Sequence, residues 1–256
     1  MRVAGLFIYP IKGCRGVAVP SLDLSDSGIL GDRRFMLVDE SDAFLSQRNC
    51  AVLARYVPRL VGRVLEVSAP DGAGELQIQM PESGESLDYA VWSRSQPGIE
   101  VREGSEWFTE RLQKNVRFLY CPTNTGVAFH DAAQVLVTSQ ASLDDLNQRL
   151  TAPISMSRFR ANIVLEGVDA YAEDEWGGIA LGQCDLATQE RCGRCVVTTI
   201  DQETGKKTGT DPLRTLVKYR LFGSEACFGM YYSVQKAGRI HVGDPFEVRS
   251  PLSEQG

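Results

Sequence analysis

Arg191-Cys192-Gly193-Arg194-Cys195-Val196-Val197-Thr198-Thr199-Ile200-Asp201 decides how the chain is read. Two cysteines, three positions apart, run into a β-branched segment that closes on the turn Asp201-Gln202-Glu203-Thr204-Gly205. β-Branched side chains favour a pleated, half-buried surface, so 196–200 is expected to be a strand. A thioredoxin-type dithiol would instead open a helix within a βαβ unit. A structural zinc site would need a second ligand pair, whereas the other cysteines stand singly and His130 and His241 are the only histidines. The spacing leaves open a single thiolate ligand beside a bystander cysteine, or two small residues buried in a barrel. The guanidinium groups of Arg191 and Arg194 favour thiolate over thiol. A thiolate is a soft ligand for a transition metal, and Cys195 is read as that ligand and as the catalytic centre.

The flanking sequence keeps the strand character. Val3-Ala4-Gly5-Leu6-Phe7-Ile8 marks a strand ending at Tyr9-Pro10. Residues 34–38 and 43–45 form a hairpin pattern around Asp39-Glu40-Ser41-Asp42, and residues 65–67 and 76–80 form another across Pro70-Asp71-Gly72. Strands at such short intervals predict a barrel or sandwich. Three helices are expected. One is capped by Ser105 and runs through Trp107, Phe108, Arg111 and Leu112. A second follows Ser139 or Ser142, with Leu143, Leu146 and Leu150 on one face and Asp144 and Asp145 in its first turn. The third is capped by Asp211, with Pro212 in the first helical position and Leu213, Leu216 and Val217 as its stripe. Strand pattern returns at 228–234, 240–242 and 246–248. Helices do not alternate regularly with strands, which argues against a doubly wound parallel sheet. The fold class is therefore mainly β (α+β). The polar, turn-rich stretch 121–126 is the expected boundary between a β-barrel-like domain, residues 1–122, and a second β-barrel domain with a few helices, residues 123–256.

The chain's 256 residues allow one large or two small domains. A net charge of −6 argues against a general binder of nucleic acid or anionic membrane. No apolar run approaches the roughly 20 residues that span a bilayer. The N-terminus lacks a small-residue cleavage site, so a secretory signal is not expected. Seven cysteines, an odd number scattered from Cys14 to Cys227, do not resemble a secreted disulfide framework. A reduced, cytoplasmic setting is expected.

Against this acidic background, several cations stand beside strand ends. Tyr9-Pro10-Ile11-Lys12-Gly13-Cys14-Arg15-Gly16 puts a lysine on a glycine-containing loop, which can hold a phosphate although its spacing is not that of a P-loop. Gly31-Asp32-Arg33-Arg34-Phe35 places two arginines on opposite faces of a strand start, one in solvent and one in a cleft. Ser46-Gln47-Arg48-Asn49 is a similar polar cluster. In strand alternation, Arg158, Arg160 and Asn162 share one face of 157–165 and form a ligand-binding wall. A phosphate-bearing cofactor held by Lys12, Arg15, Arg33, Arg158, Arg160 and Arg194, with one thiolate for a soft metal, accounts for the set.

Cys192 to Asp201, with Thr204-Gly205, Pro212 to Leu216 and Tyr219-Arg220, resembles the MOSC domain. Phe159 to Val164, Tyr171 to Trp176 and Gly243-Asp244 fit the same domain, while Tyr9 to Cys14 and Gly31 to Phe35 resemble the β-barrel domain that precedes it. The likeness covers nearly the whole chain and is greatest to the mitochondrial amidoxime-reducing components and their bacterial relatives. It implies a molybdenum cofactor, a pterin dithiolene with one phosphate, whose metal ligand matches Cys195. It implies cofactor contacts at Lys12, Gly13, Arg33, Arg160 and Asn162, with Arg194 next to the ligand and Ser139 and Asp131 near cofactor or substrate. The mitochondrial relatives have serine after the lysine, where Gly13 offers only backbone. Pyridoxal phosphate binding also attaches to the family as a broad attribute. The implied chemistry is reduction of amidoximes, hydroxylamines and N-hydroxylated bases. No iron–sulfur ligand set follows Cys195, so a separate electron-donor protein is implied. Two other functions stay open: a non-catalytic carrier of sulfur or molybdenum pterin, and a dithiol oxidoreductase using Cys192 and Cys195.

Overall fold

Arg2–Ile8 opens the chain, yet lies within the largest sheet rather than at the margin of a separate lobe. The computed structural model describes residues 1–122 and 128–251. Among them, the largest sheet has nine strands. Its order is Phe246–Pro251, Trp176–Leu181, Cys184–Gly193, Glu225–Lys236, Val135–Ser139, Ile163–Glu166, Arg2–Ile8 and Val17–Val19, with Leu221–Phe222 paired to Glu225–Lys236. Val135–Ser139 and Ile163–Glu166 run parallel, and the other pairings in this sheet are antiparallel. Val3 and Leu6 are buried against Val137, Ile163 and Leu165, and Leu22, Leu24 and Ile29 join the same core.

The N-terminal region builds a second core. A four-stranded sheet in the order Phe35–Asp39, Val116–Tyr120, Arg94–Glu100 and Ser86–Val91 packs with the meander Val57–Val61, Val64–Ser68 and Glu75–Gln79. Helix α1 (Arg102–Leu112) inserts Phe108 between them. Phe35 stacks on Phe118 at 5.2 Å, and Phe108 lies 5.1 Å from Phe118. Each such fully buried ring contributes about 1.5–3 kcal/mol. The architecture is mainly β, and both expected hairpins are present: Asp39 N donates to the Ala43 carbonyl, and Val64–Ser68 pairs with Glu75–Gln79. No helix of the described residues is long and apolar enough to cross a membrane. Of the expected boundary 121–126, residues 123–126 lie outside the described residues.

Four local expectations are corrected. Residues 196–199 form a 3-10 turn rather than a strand, because the Thr198 and Thr199 hydroxyls donate back to the carbonyls of Cys195 (3.0 Å) and Val196 (2.7 Å). Residues 156–159 also form a 3-10 turn, Arg160 is left-handed at φ 56°, and the strand begins only at Ile163. Helix α1 begins at Arg102, so Ser105 lies inside it, bonding to Glu100 and the Val101 carbonyl. Pro212 occupies the cap of α3 (Leu213–Tyr219), and Asp211 receives the Thr215 hydroxyl at 2.9 Å. Helix α2 (Gln140–Arg149) is capped by Ser139, whose oxygen accepts from Ser142 N.

Candidate functional site

The loop after Arg2–Ile8 and the loop before Phe35–Asp39 are bonded together by their backbones. Arg33 N donates to Tyr9 O (2.8 Å), Phe35 N to Pro10 O (3.0 Å) and Lys12 N to Phe35 O (2.8 Å). The turn ending at Arg160 joins them through Asn162, whose carbonyl receives Phe7 N at 2.8 Å. The end of Cys184–Gly193 and the turn that follows form the facing wall. Together these segments enclose a cavity of about 420 Å³ lined by Lys12, Gly13, Arg33, Arg160, Asn162, Arg194 and Cys195, a size suited to a small ligand or cofactor. Cys195 is exposed and Cys192 is buried.

Asp32 organises the cationic side. It is fully buried and accepts from Tyr9 N (2.7 Å), Asn162 Nδ2 (3.2 Å) and the Arg33 guanidinium, with His130 Nε2 at 3.3 Å. Burial works to raise its carboxyl, but Arg33 and His130 prevail and hold it below the usual range. Burial likewise opposes the charge on Arg33, and Asp32 more than offsets this. Asn162 spends both ends of its amide on the protein: Oδ1 accepts from Arg33 (3.2 Å) and Leu136 N (3.2 Å), and Nδ2 donates to Phe7 O and Asp32. Arg33 and Arg160 lie 4.3 and 4.4 Å from the Tyr9 ring, within cation–π reach.

Lys12 is 4% exposed, and its Nζ donates to Phe129 O (3.0 Å) and Asp131 Oδ1 (2.6 Å). Burial lowers its pKa to about 8, with Asp131 working the other way. Arg160 donates to Cys14 O (2.6 Å), and Arg194 donates to Cys192 Sγ (2.6 Å) and to the Phe159 carbonyl. Neither has an ion-paired carboxylate among the described residues. Burial is the main cause that lowers the Arg160 pKa, and crowding by Arg33 adds to it in the same direction. An anion in the cavity would relieve this crowding. Gly13 sits at φ +86°, and an added Cβ would meet Leu53 and Ser46 at 3.3 Å. Its carbonyl is held by Gln47 Nε2 at 2.9 Å.

The cavity thus gathers Lys12, Gly13, Arg33, Arg160, Asn162, Arg194, Cys195 and Asp131. It does not gather Ser139, which is fully buried as the cap of α2 with its hydroxyl 2.6 Å from that of Ser142. Arg158 turns away to Thr208 (2.8 Å) and Asp201 (3.3 Å), since a turn rather than a strand precedes Arg160. Arg15 pairs with Glu203 outside the cavity. Arg34 is buried against the Cys121 carbonyl, not in solvent, while Arg33 takes the cleft as expected. The sequence reading missed Trp92, His130 and Tyr231 as lining residues and noted Arg48 only within a polar cluster. Trp92 is carried in by a hairpin tip from another sheet, a placement without a local signal.

Residues 1–115 match the MOSC N-terminal beta barrel domain, and residues 124–247 match the MOSC domain. Mitochondrial amidoxime reducing component 2 of Rattus norvegicus is 33% identical over 276 residues, 95% of this chain and 82% of the rat protein. Mitochondrial amidoxime-reducing component 1 of Homo sapiens is 33% identical over 281 residues, 95% of this chain and 81% of the human protein. Among solved structures, the YUAD protein from Bacillus subtilis shares the fold at a TM-score of 0.50 and 14% identity, over 97% of this chain and 95% of that one. The chain is a MOSC-domain protein preceded by a MOSC N-terminal β-barrel domain, and it belongs to the family of the mitochondrial amidoxime-reducing components.

Proposed function

We propose that this chain is a molybdenum-cofactor oxidoreductase that reduces N-hydroxylated compounds such as amidoximes, hydroxylamines and N-hydroxylated bases, with electrons from a separate donor protein. The observation that carries this reading is the exposed Cys195 thiol on the wall of a cavity shared with Lys12, Arg33, Arg160 and Arg194. The relatives' names supply the amidoxime chemistry.

The donor set suits such a group. Among the described residues, no three His, Cys, Asp or Glu side chains gather to hold a metal ion by themselves. A metal brought in on an organic dithiolene needs only one more soft ligand, and Cys195 offers it. The uncompensated charges of Arg160 and Arg194 suit a phosphate. Arg194 Nε is buried without a hydrogen-bond partner and is available to such a ligand. Lys12, Arg33, Arg160, Arg194 and the Gly13 backbone would hold the pterin and its phosphate. Asn162 would act one step back by fixing Arg33.

When bound, the group supplies the two-electron reduction of an N–O bond; the substrate, two electrons and two protons yield the reduced nitrogen compound and water. The protein's residues position and protonate. Burial works to raise the Asp131 carboxyl, but Lys12 and Trp92 hold it well below the usual range. Asp131 is therefore ionised near neutrality and keeps a proton at Lys12 Nζ. Protein purified from cells that make the cofactor is expected to carry molybdenum and pterin and to reduce benzamidoxime with a reduced viologen dye. Cys195→Ala should lose both properties. A folded wild-type protein without molybdenum would sink the reading, and tight cofactor binding without turnover would favour the carrier.

A further inference from the structure

Trp92 stands 55% exposed at the tip of the two-residue hairpin between Ser86–Val91 and Arg94–Glu100. Its backbone is left-handed at φ 57°, where such turns favour Asn or Gly and a bulky side chain is strained. The exposed indole is nevertheless held firmly. Its Nε1 donates to Asp131 Oδ1 (2.7 Å), Phe44 packs edge-on at 5.3 Å, and the Arg48 guanidinium lies 4.7 Å from the ring. Arg94 fastens the hairpin by donating to the carbonyls of His130 (2.5 Å), Asp131 (3.0 Å) and Ala132 (3.3 Å). Trp92, Arg48 and Asp131 all line the cavity that contains Cys195. A large aromatic side chain left exposed while its indole N–H and one ring edge are engaged by neighbours is a preorganised binding surface. The same Asp131 oxygen receives both the indole and the Lys12 ammonium, which fixes the aromatic face relative to the cationic one. The cations suit an anionic cofactor, leaving the aromatic face for a flat, uncharged body.

We propose that Trp92, set in place by Arg48 and Asp131, is the substrate platform of this cavity and selects N-hydroxylated compounds with a planar conjugated body over aliphatic or bare ones. This selection rests on the reductive reading above. Cofactor-loaded wild-type protein and Trp92→Ala are compared with benzamidoxime, which carries a ring, and hydroxylamine, which carries none. The ratio of kcat/KM for benzamidoxime over hydroxylamine is expected to fall about tenfold in Trp92→Ala, the order of effect of losing an aromatic stacking partner. Trp92→Phe should keep most of the ratio. A ratio that stays put in Trp92→Ala, whether or not both rates fall, overturns the proposal. A second readout needs no turnover. Trp107 is packed among Tyr56, Phe108 and Arg111, and Trp176 is buried, so benzamidoxime should quench the tryptophan emission of wild type but not of Trp92→Phe. Equal quenching in both proteins also overturns the proposal. If wild type reduces neither compound yet shows the Trp92-dependent quench, the reductive reading falls and the platform stands.

Discussion

At the scale of single residues, the site depends on charges that the protein has already paired or left unpaired. Asp32 is fully buried and answers Arg33, so Asp32→Asn keeps the shape but strands a buried cation. Breaking such a pair from one side costs about 3–5 kcal/mol, and urea unfolding should show a loss of that order. A loss below about 1 kcal/mol would mean that Arg33 finds its counter-charge elsewhere. Lys12 gives a pH-dependent signal. Burial lowers its pKa to about 8, so its charge, and the anion affinity it supports, is present below that pH and lost as pH rises through it. The rise in Tm produced by sulfate, which stays dianionic throughout, should shrink between pH 7 and 9 in wild type and stay level in Lys12→Arg, whose charge persists. The unfolded chain holds more protons than the folded one between about 8 and the ordinary 10.5, so Lys12's own share of stability rises across that window. Lys12, Arg33 and Arg194 were legible as cations beside predicted strand ends in an acidic chain, whereas Arg160 was picked out for a strand face that is in fact the cap of a 3-10 turn. Trp92 was not, because Asp131, which orients it, comes from 39 positions away.

At the scale of elements, the sequence reading succeeded where a side chain's bonding agrees with the backbone pattern and failed where the two compete. Ser139 is the success: Ser, then Leu143 and Leu146 on one face, announces a capped helix, and α2 is one. The resemblance also placed Ser139 near the cofactor, but its buried hydroxyl is engaged by Ser142 N and Oγ. Ser139→Ala is therefore expected to cost about 1 kcal/mol in denaturant unfolding, the value of a lost cap. A cofactor-binding role would show instead as reduced molybdenum per folded chain. The failure lies at 196–199, where β-branched residues read as a strand but two threonine hydroxyls close a turn. That turn sets Cys195 at its start, exposed at the cavity, whereas Cys192 stays within its strand, buried. Cys192 lies at the end of a strand and Cys195 opens a short 3-10 turn, so neither thiol sits at the start of an α-helix, where a thioredoxin-type dithiol would place them.

At the scale of the molecule, the described residues 1–122 and 128–251 share a sheet and a core. Arg2–Ile8 pairs with Ile163–Glu166, and Leu22 and Leu24 share a core with Val135 and Ile179. The cavity is divided in the same way, with Lys12 and Arg33 from the first part and Arg160, Arg194 and Cys195 from the second. Short-range patterns revealed the strands of each part, but not that the opening strand lies inside the later sheet, because pairing across more than 150 positions leaves no local periodicity. Cutting the chain at 122 would expose Val3 and Leu6 on one fragment and the facing Ile163 and Leu165 on the other, and would leave the edge of Ile163–Glu166 unpaired. Neither fragment expressed alone should show a cooperative unfolding transition. The intact chain should show one transition, coincident by fluorescence and circular dichroism. Co-expressed fragments are expected to recover that transition together with molybdenum binding. A 123–256 fragment that folds cooperatively by itself and holds molybdenum would refute the shared core as the basis of the site, because it would lack both Lys12 and Arg33.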